Sequence, residues 1–194
     1  MTLRDRRSVN FVTVIRQILI LMAVHTQQER SATESAEPGG CHMIGIGRLE
    51  PSDRAAWEAL FRAYVDFYQR TEPPEMYDRA WREFQADNRL HALAARLDGR
   101  LVGITHFLVH PSTSGPDVCY LQDLFTAPDV RGQGVARALI AAVADWARER
   151  GCGHVYWHTQ ASNATARHLY DKVAENRGFI TYVIGLAGPQ RPGR

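Results

Sequence analysis

Between a strand-like run, Val118 to Ala127, and a strongly helical run, Val135 to Arg150, the chain reads Arg131-Gly132-Gln133-Gly134-Val135-Ala136. A strand, a glycine turn and a helix in that order constrain the fold more than any other feature of the sequence. Gly132 and Gly134 allow backbone turns that a side chain would hinder. The turn opens a helix, whose first N–H groups have no intrahelical partner and whose dipole favours negative charge. Arg131 adds a fixed positive charge at the mouth. Such a turn is a site for phosphate or pyrophosphate.

Three phosphate ligands compete for it. A nucleoside triphosphate loop needs Gly, four residues, then Gly-Lys-Ser/Thr. The only lysine of the chain is Lys172, far from any such loop, which excludes that reading. A dinucleotide fingerprint needs a third glycine where Arg137 stands, and most of a nucleotide fold after it; too little chain follows. Coenzyme A is the third ligand. The plain alternative is an ordinary helix start.

Neighbouring motifs decide in favour of coenzyme A. The hexapeptide resembles the Arg/Gln-x-x-Gly-x-Gly/Ala signature of the GNAT N-acetyltransferase superfamily. Tyr120-Leu121-Gln122-Asp123-Leu124-Phe125 resembles the fourth strand of that fold, and Pro128-Asp129 the turn after it. Asn163 to Asp171 resembles its fourth helix, and Gly178-Phe179 the opening of its last long strand. Four motifs in order cover roughly 118–179. Tyr156-Trp157-His158-Thr159 and Leu169-Tyr170-Asp171 are most similar to the branch related to the yeast histone and polyamine acetyltransferases.

Composition bounds the rest. A length of 194 residues with 45% hydrophobic content suits one domain with tails, which the resemblance implies is of the α/β (α+β) class. The net charge is +2, and the 22 arginines are scattered with no basic tract, so nucleic-acid binding has no electrostatic support. Three cysteines form no Cys-x-x-Cys pair, which suits a reducing, cytoplasmic setting. His106 and His110, and His154 and His158, each lie four apart on strand-like runs. That spacing is about 13 Å, too far for one metal. No metal site and no Ser or Cys nucleophile is indicated.

The first 42 residues stand apart. Arg4, Arg6 and Arg7 precede an apolar run, but Arg16 interrupts it and only Ile18 to Val24 is uninterrupted. That is short for a leader and far too short to span a membrane. Residues 27–40 read as a polar linker. The expected organisation is therefore a disordered extension or mis-assigned start over 1–42, a catalytic domain over 43–188 and a tail over 189–194.

Along the domain, Met43–Leu49 reads as a strand. Trp57, Leu60, Phe61, Tyr64 and Tyr68 lie on one face of a helix capped by Ser52 or Asp53. Pro73-Pro74 starts a second helix with Met76, Tyr77, Trp81 and Phe84. Leu90–Leu97 and Leu101–His110 flank an Asp98-Gly99 hairpin turn. Leu139, Ile140, Val143 and Ala147 share one face of the helix from Val135. Val155–Thr159 is a strand, Asn163–Ala174 a helix and Phe179–Leu186 a last strand. The resemblance implies a mixed sheet of about six strands, helices on both faces, and a coenzyme A cleft where strands four and five splay apart.

It further implies acetyl transfer from acetyl-CoA by direct attack of an amine in a ternary complex. Leu124, Phe125 and Thr126 would present backbone to the thioester and pantetheine arm, and Arg131, Gly132, Gln133, Gly134, Val135 and Ala136 would hold the pyrophosphate. Asn163 and Ala166 match positions that meet the pantetheine arm, although Asn163 also reads as a helix N-cap. Tyr170 matches the general acid, and a phenol is protonated at neutral pH; it also reads as a core tyrosine. Polyamine acetyltransferases carry glutamate where this chain has Gln122. Adjacent strand residues face opposite sides, so only one of Gln122 and Asp123 can face the cleft. Either Asp123 is the base or amine anchor, or Gln122 orients a water. Tyr68 belongs to the aromatic and acidic acceptor end. The acceptor class is a small primary amine, a polyamine or amino acid derivative. The alternatives are a protein lysine or N-terminus, and a non-catalytic coenzyme A sensor. A homodimer stays open.

Overall fold

The computed structural model describes residues 43–186. The extension over 1–42 and the tail over 189–194 lie outside the described residues. Five strands form one sheet in the order β1 (Ile44–Arg48), β2 (His91–Leu97), β3 (Arg100–His110), β4 (Val118–Thr126) and β5 (His154–Tyr156). The first four are antiparallel neighbours, and β5 joins β4 in parallel. The β2–β3 hairpin turns at Asp98 and Gly99, both at positive φ, as the Asp-Gly pair predicts.

Two helices lie on one face. A 3-10 turn over Pro51–Asp53 leads into α1 (Arg54–Phe67), and α2 (Pro74–Ala86) starts with proline at its first turn. Trp57, Phe61, Tyr77 and Phe84 from these helices close a core with Ala92, Ala94, Ile104 and Phe125 of the sheet. The opposite face belongs to α3 (Val135–Glu149), whose Leu139, Ile140, Val143 and Ala147 are buried as the periodicity predicts. Gly103 lets α3 lie close: a Cβ there would sit 2.9 Å from Val135 Cγ1 and 3.3 Å from Ala95 Cβ. The last helix is α4 (Ala164–Val173).

Two strand expectations need correction. The β5 strand spans three residues instead of Val155–Thr159, and Phe179–Leu186 forms no strand. An almost continuous run of aromatic and β-branched residues makes Phe179–Leu186 strand-like, but a strand also needs a neighbour to pair with, and none of the described strands takes it. Phe179, Ile180, Tyr182, Val183, Ile184 and Leu186 are exposed. Among the described residues no helix is long and apolar enough to cross a membrane.

Candidate active site

Two features of β4 build the site. The first is its short contact with β5. Only Val118, Cys119 and Tyr120 pair with that strand, whereas β4 continues to Thr126. Beyond Tyr120 the two strands part, and the β5-facing backbone edge of β4 through Leu124, Phe125 and Thr126 has no strand beside it.

The second is a bulge. Phe107 pairs with Leu121 and His106 with Asp123, so Gln122 is an extra residue with no partner on β3. The side-chain alternation reverses there. Cys119 and Leu121 pack with Ile140 and Val143 of α3. Past the bulge Phe125 packs with Trp57 and Phe61 of α1. Asp123 is turned to that same helix side, where it meets His106. Gln122 stays exposed at the bulge. Strict alternation made the two residues competitors for one cleft; the bulge instead gives Asp123 a buried setting and leaves Gln122 in solvent.

Asp123 sits in a nest of donors. His106 Nδ1 lies 2.9 Å from its Oδ2. The Tyr64 phenol is directed at the same carboxylate, and burial together with that negative charge pushes the Tyr64 pKa well above its ordinary value. Tyr68 follows one helical turn later, its ring centroid 5.1 Å from that of Tyr64. Tyr170 approaches from α4, its ring 5.3 Å from Trp157. Burial, and secondarily the neighbouring Tyr68, push the Tyr170 phenol up to about 12. Tyr64 thus meets the carboxylate directly, and Tyr68 stands between Tyr64 and Tyr170, so that phenols from two separate helices form one row leading away from Asp123.

At the other end of the cleft the glycine turn has the geometry the sequence demands. Gly132 and Gly134 have φ of +81° and +87°, and Gly134 is the residue before α3. A Cβ on Gly132 would meet nothing within 4 Å, so the turn is open. Ala138 N–H donates to Gly134 O at 3.0 Å as the first bond of the helix, which leaves the amides of Val135, Ala136 and Arg137 at its open end. The Arg131 guanidinium stands 5.8 Å over the Phe125 ring, which ties the turn to β4. Gln133 is exposed, its Nε2 3.4 Å from Asp129 O. These amides, with one arginine beside them, fit a pyrophosphate.

Asn163 is spent differently. Its Oδ1 accepts from Ala166 N–H at 3.3 Å, and its Nδ2 lies 3.4 Å from Thr159 Oγ1. It is the N-cap of α4, which engages both ends of the amide and the Ala166 N–H with it. Sequence reasoning missed His106 and Trp57, which stand behind Asp123. No local pattern marks them; only the packing of α1 on β3 brings them together.

A sheet opened at β4, a helix-capped anion site and a polar, phenol-lined cleft define an acetyl-CoA-dependent N-acetyltransferase. The chain belongs to the acetyltransferase (GNAT) family, whose model matches residues 57–174. It is 34% identical over 143 residues to the D-amino-acid N-acetyltransferase HPA3 of Saccharomyces cerevisiae, covering 72% of this chain and 89% of that protein. An uncharacterised N-acetyltransferase of Bacillus subtilis, YhfO, is 27% identical, over 74% of this chain and 98% of its own. Among solved structures, the ribosomal-protein-alanine N-acetyltransferase of Brucella melitensis biovar Abortus 2308 superimposes with a TM-score of 0.64 at 28% identity. That match covers 74% of this chain and 100% of the other.

Proposed function

We propose that this chain acetylates a small primary amine and that Asp123 anchors the amine as its ammonium. The observation that carries the reading is a carboxylate, Asp123, held by Tyr64 and His106, with Tyr68 beside Tyr64 and Tyr170 beside Tyr68. Aromatic faces and a negative charge attract a cation through the ring quadrupole and by direct ion pairing. The yeast relative named for D-amino acids supports a small acceptor.

Acetyl-CoA supplies a thioester carbonyl for the amine to attack. The pyrophosphate end would rest on the amides of Gly134, Val135 and Ala136 with Arg131 alongside, and the backbone of Leu124, Phe125 and Thr126 would face the acyl and pantetheine end. The amine must shed a proton before its nitrogen bonds to the carbonyl carbon. The C–S bond then breaks, and the departing sulfur gains a proton, so one proton is released per ammonium consumed. Gln122, exposed at the bulge, would hold a water that takes the amine's proton. Tyr170 would donate a hydrogen bond to the sulfur as charge develops on it. Free Cys119 and Cys152 agree with a cytoplasmic enzyme.

An acceptor panel tests the proposal. Spermidine, D-phenylalanine, neamine and a peptide with N-terminal alanine are each offered with acetyl-CoA, and thiol release is followed. Turnover of a small amine is expected, with KM raised at least tenfold in Asp123→Asn. Turnover of the peptide alone would transfer the chain to the protein acetyltransferases. Acetyl-CoA binding without thiol release from any acceptor would make it a coenzyme A sensor.

A further inference from the structure

Behind Asp123 lies a chain of hydrogen bonds with only one consistent assignment of protons. Trp57 Nε1 is 2.9 Å from His106 Nε2, and His106 Nδ1 is 2.9 Å from Asp123 Oδ2. An indole N–H can only donate. His106 Nε2 must therefore accept, and the single ring proton of His106 sits on Nδ1, where Asp123 accepts it. A second proton on the ring has no place unless the bond to Trp57 breaks.

The surroundings make that costly. Trp57 and His106 are 0% and 1% exposed and Asp123 9%. The Phe84 ring stacks on His106 at 4.3 Å, and Phe61 meets it edge-on at 4.8 Å. Titratable groups face His106 from few directions. From β4 comes Asp123, and through it Tyr64 of α1 and Tyr120 of β4. The neighbouring α2 presents Phe84, and β2 presents Ala92 across the ladder. Arg54 stands 5.2 Å over the Trp57 ring and is itself paired with Glu58 and Asp78.

We infer that Trp57 and His106 are positioning residues for the acceptor: Trp57 fixes the His106 tautomer, and His106 in turn holds Asp123 as an oriented carboxylate whose charge no neighbouring imidazolium cancels. The inference rests on the reading of Asp123 as the amine's anchor. Its consequence is that acceptor binding depends on residues that do not themselves touch the acceptor.

The test needs no acceptor at its first step. The 15N-labelled full chain is followed by imidazole 1H–15N spectra at pH 7.5. His106 should show a protonated Nδ1 and a bare Nε2. In Trp57→Phe the bare Nε2 loses its donor, so its 15N resonance should shift, and the KM for spermidine should rise severalfold as His106 and Asp123 lose their fixed orientation. His106→Gln, whose amide can accept from Trp57 and donate to Asp123, should keep the parent KM, whereas His106→Leu should raise it.

A His106 ring protonated on Nε2 in the parent chain overturns the inference. That spectrum decides even if Trp57→Phe does not fold. An unchanged KM in Asp123→Asn would instead overturn the anchor reading and leave the tautomer result standing.

Discussion

A phenol pushed up to about 12 is a poor acid and a good hydrogen-bond donor, and Tyr170 is such a phenol. A thiol ordinarily titrates near 8.5, so complete transfer from Tyr170 to a free thiolate runs uphill by roughly 3–4 pK units, or about 5 kcal/mol. The proton that ends on sulfur is therefore better drawn from the amine's side of the reaction, with Tyr170 stabilising charge as the C–S bond stretches. Removing one such donor costs roughly 10²–10³ in turnover. Tyr170→Phe should lose that factor in kcat and in kcat/KM together, while calorimetry finds acetyl-CoA affinity within a few-fold. Near-normal turnover would return Tyr170 to the core. The same burial has a consequence for stability. Cys119, buried beneath α3, is pushed from 9.0 to about 12, and Tyr170 from 10.0 to about 12. The folded chain keeps these protons at pH values where the unfolded chain has released them. Stability is then full below pH 9 and falls as pH rises toward 12, by about 1.4 kcal/mol per pH unit for each group in its window. Burial raises the Cys152 thiol as well, but Cys152 is much the less buried of the two, so Cys119 dominates between pH 9 and 10 and Cys119→Ala should flatten most of that part of the curve in urea titrations. Parallel curves for the two chains would sink the assignment.

The contact of α3 with β3 couples the anion site to the core. A Cβ on Gly103 would stand 2.9 Å from Val135 Cγ1 and 3.1 Å from Leu139 Cδ1. Val135 is the first residue of α3, so anything that lifts it displaces the amides at the helix start. Gly103→Ala should cost about 1–3 kcal/mol through overpacking and should weaken acetyl-CoA as well. Adding Val135→Ala makes room and should recover part of both losses in a melting and calorimetry series. Loss of stability without loss of affinity would show that the turn is positioned independently of the strand. Elements with a long amphipathic period were the legible ones in the sequence. The buried stripe of α3 and the Trp57–Phe61 stripe of α1 fall where spacing puts them. The glycine turn was legible because positive φ leaves a compositional mark. The β4 bulge was not, because an inserted residue leaves the strand's composition unchanged and shows only in its register against β3. The Trp57–His106–Asp123 chain was hidden for a related reason: its members are 49 and 17 residues apart and meet only through tertiary packing. Phe179–Leu186 failed the opposite way, with strand-like composition but none of the described strands beside it.

At the scale of the whole molecule, the described hydrophobic clusters draw every member from Ile44 to Val173. The family match, 57–174, lies inside the same limits. Met43 itself is 80% exposed, and the sheet begins one residue later, where Ile44 pairs with Leu97. Residues 27–40 are polar and carry little to bury, so the ordering entropy of packing them would go largely uncompensated. We propose that the folding unit starts at Met43. A chain beginning there should match the full chain in melting temperature to within about 2 °C, since a loss of 1 kcal/mol would shift a domain of this size by roughly 2–4 °C or more. Its acetyl-CoA affinity and kcat should also be unchanged, because Asp123, Tyr170 and the glycine turn all lie within the retained part. Differential scanning calorimetry and acetyl-CoA titration of the two chains make the comparison. A melting temperature lower by 5 °C or more would show that part of 1–42 packs on the domain and would move the boundary upstream. Weaker acetyl-CoA binding at an unchanged melting temperature would instead make the extension part of the cofactor site.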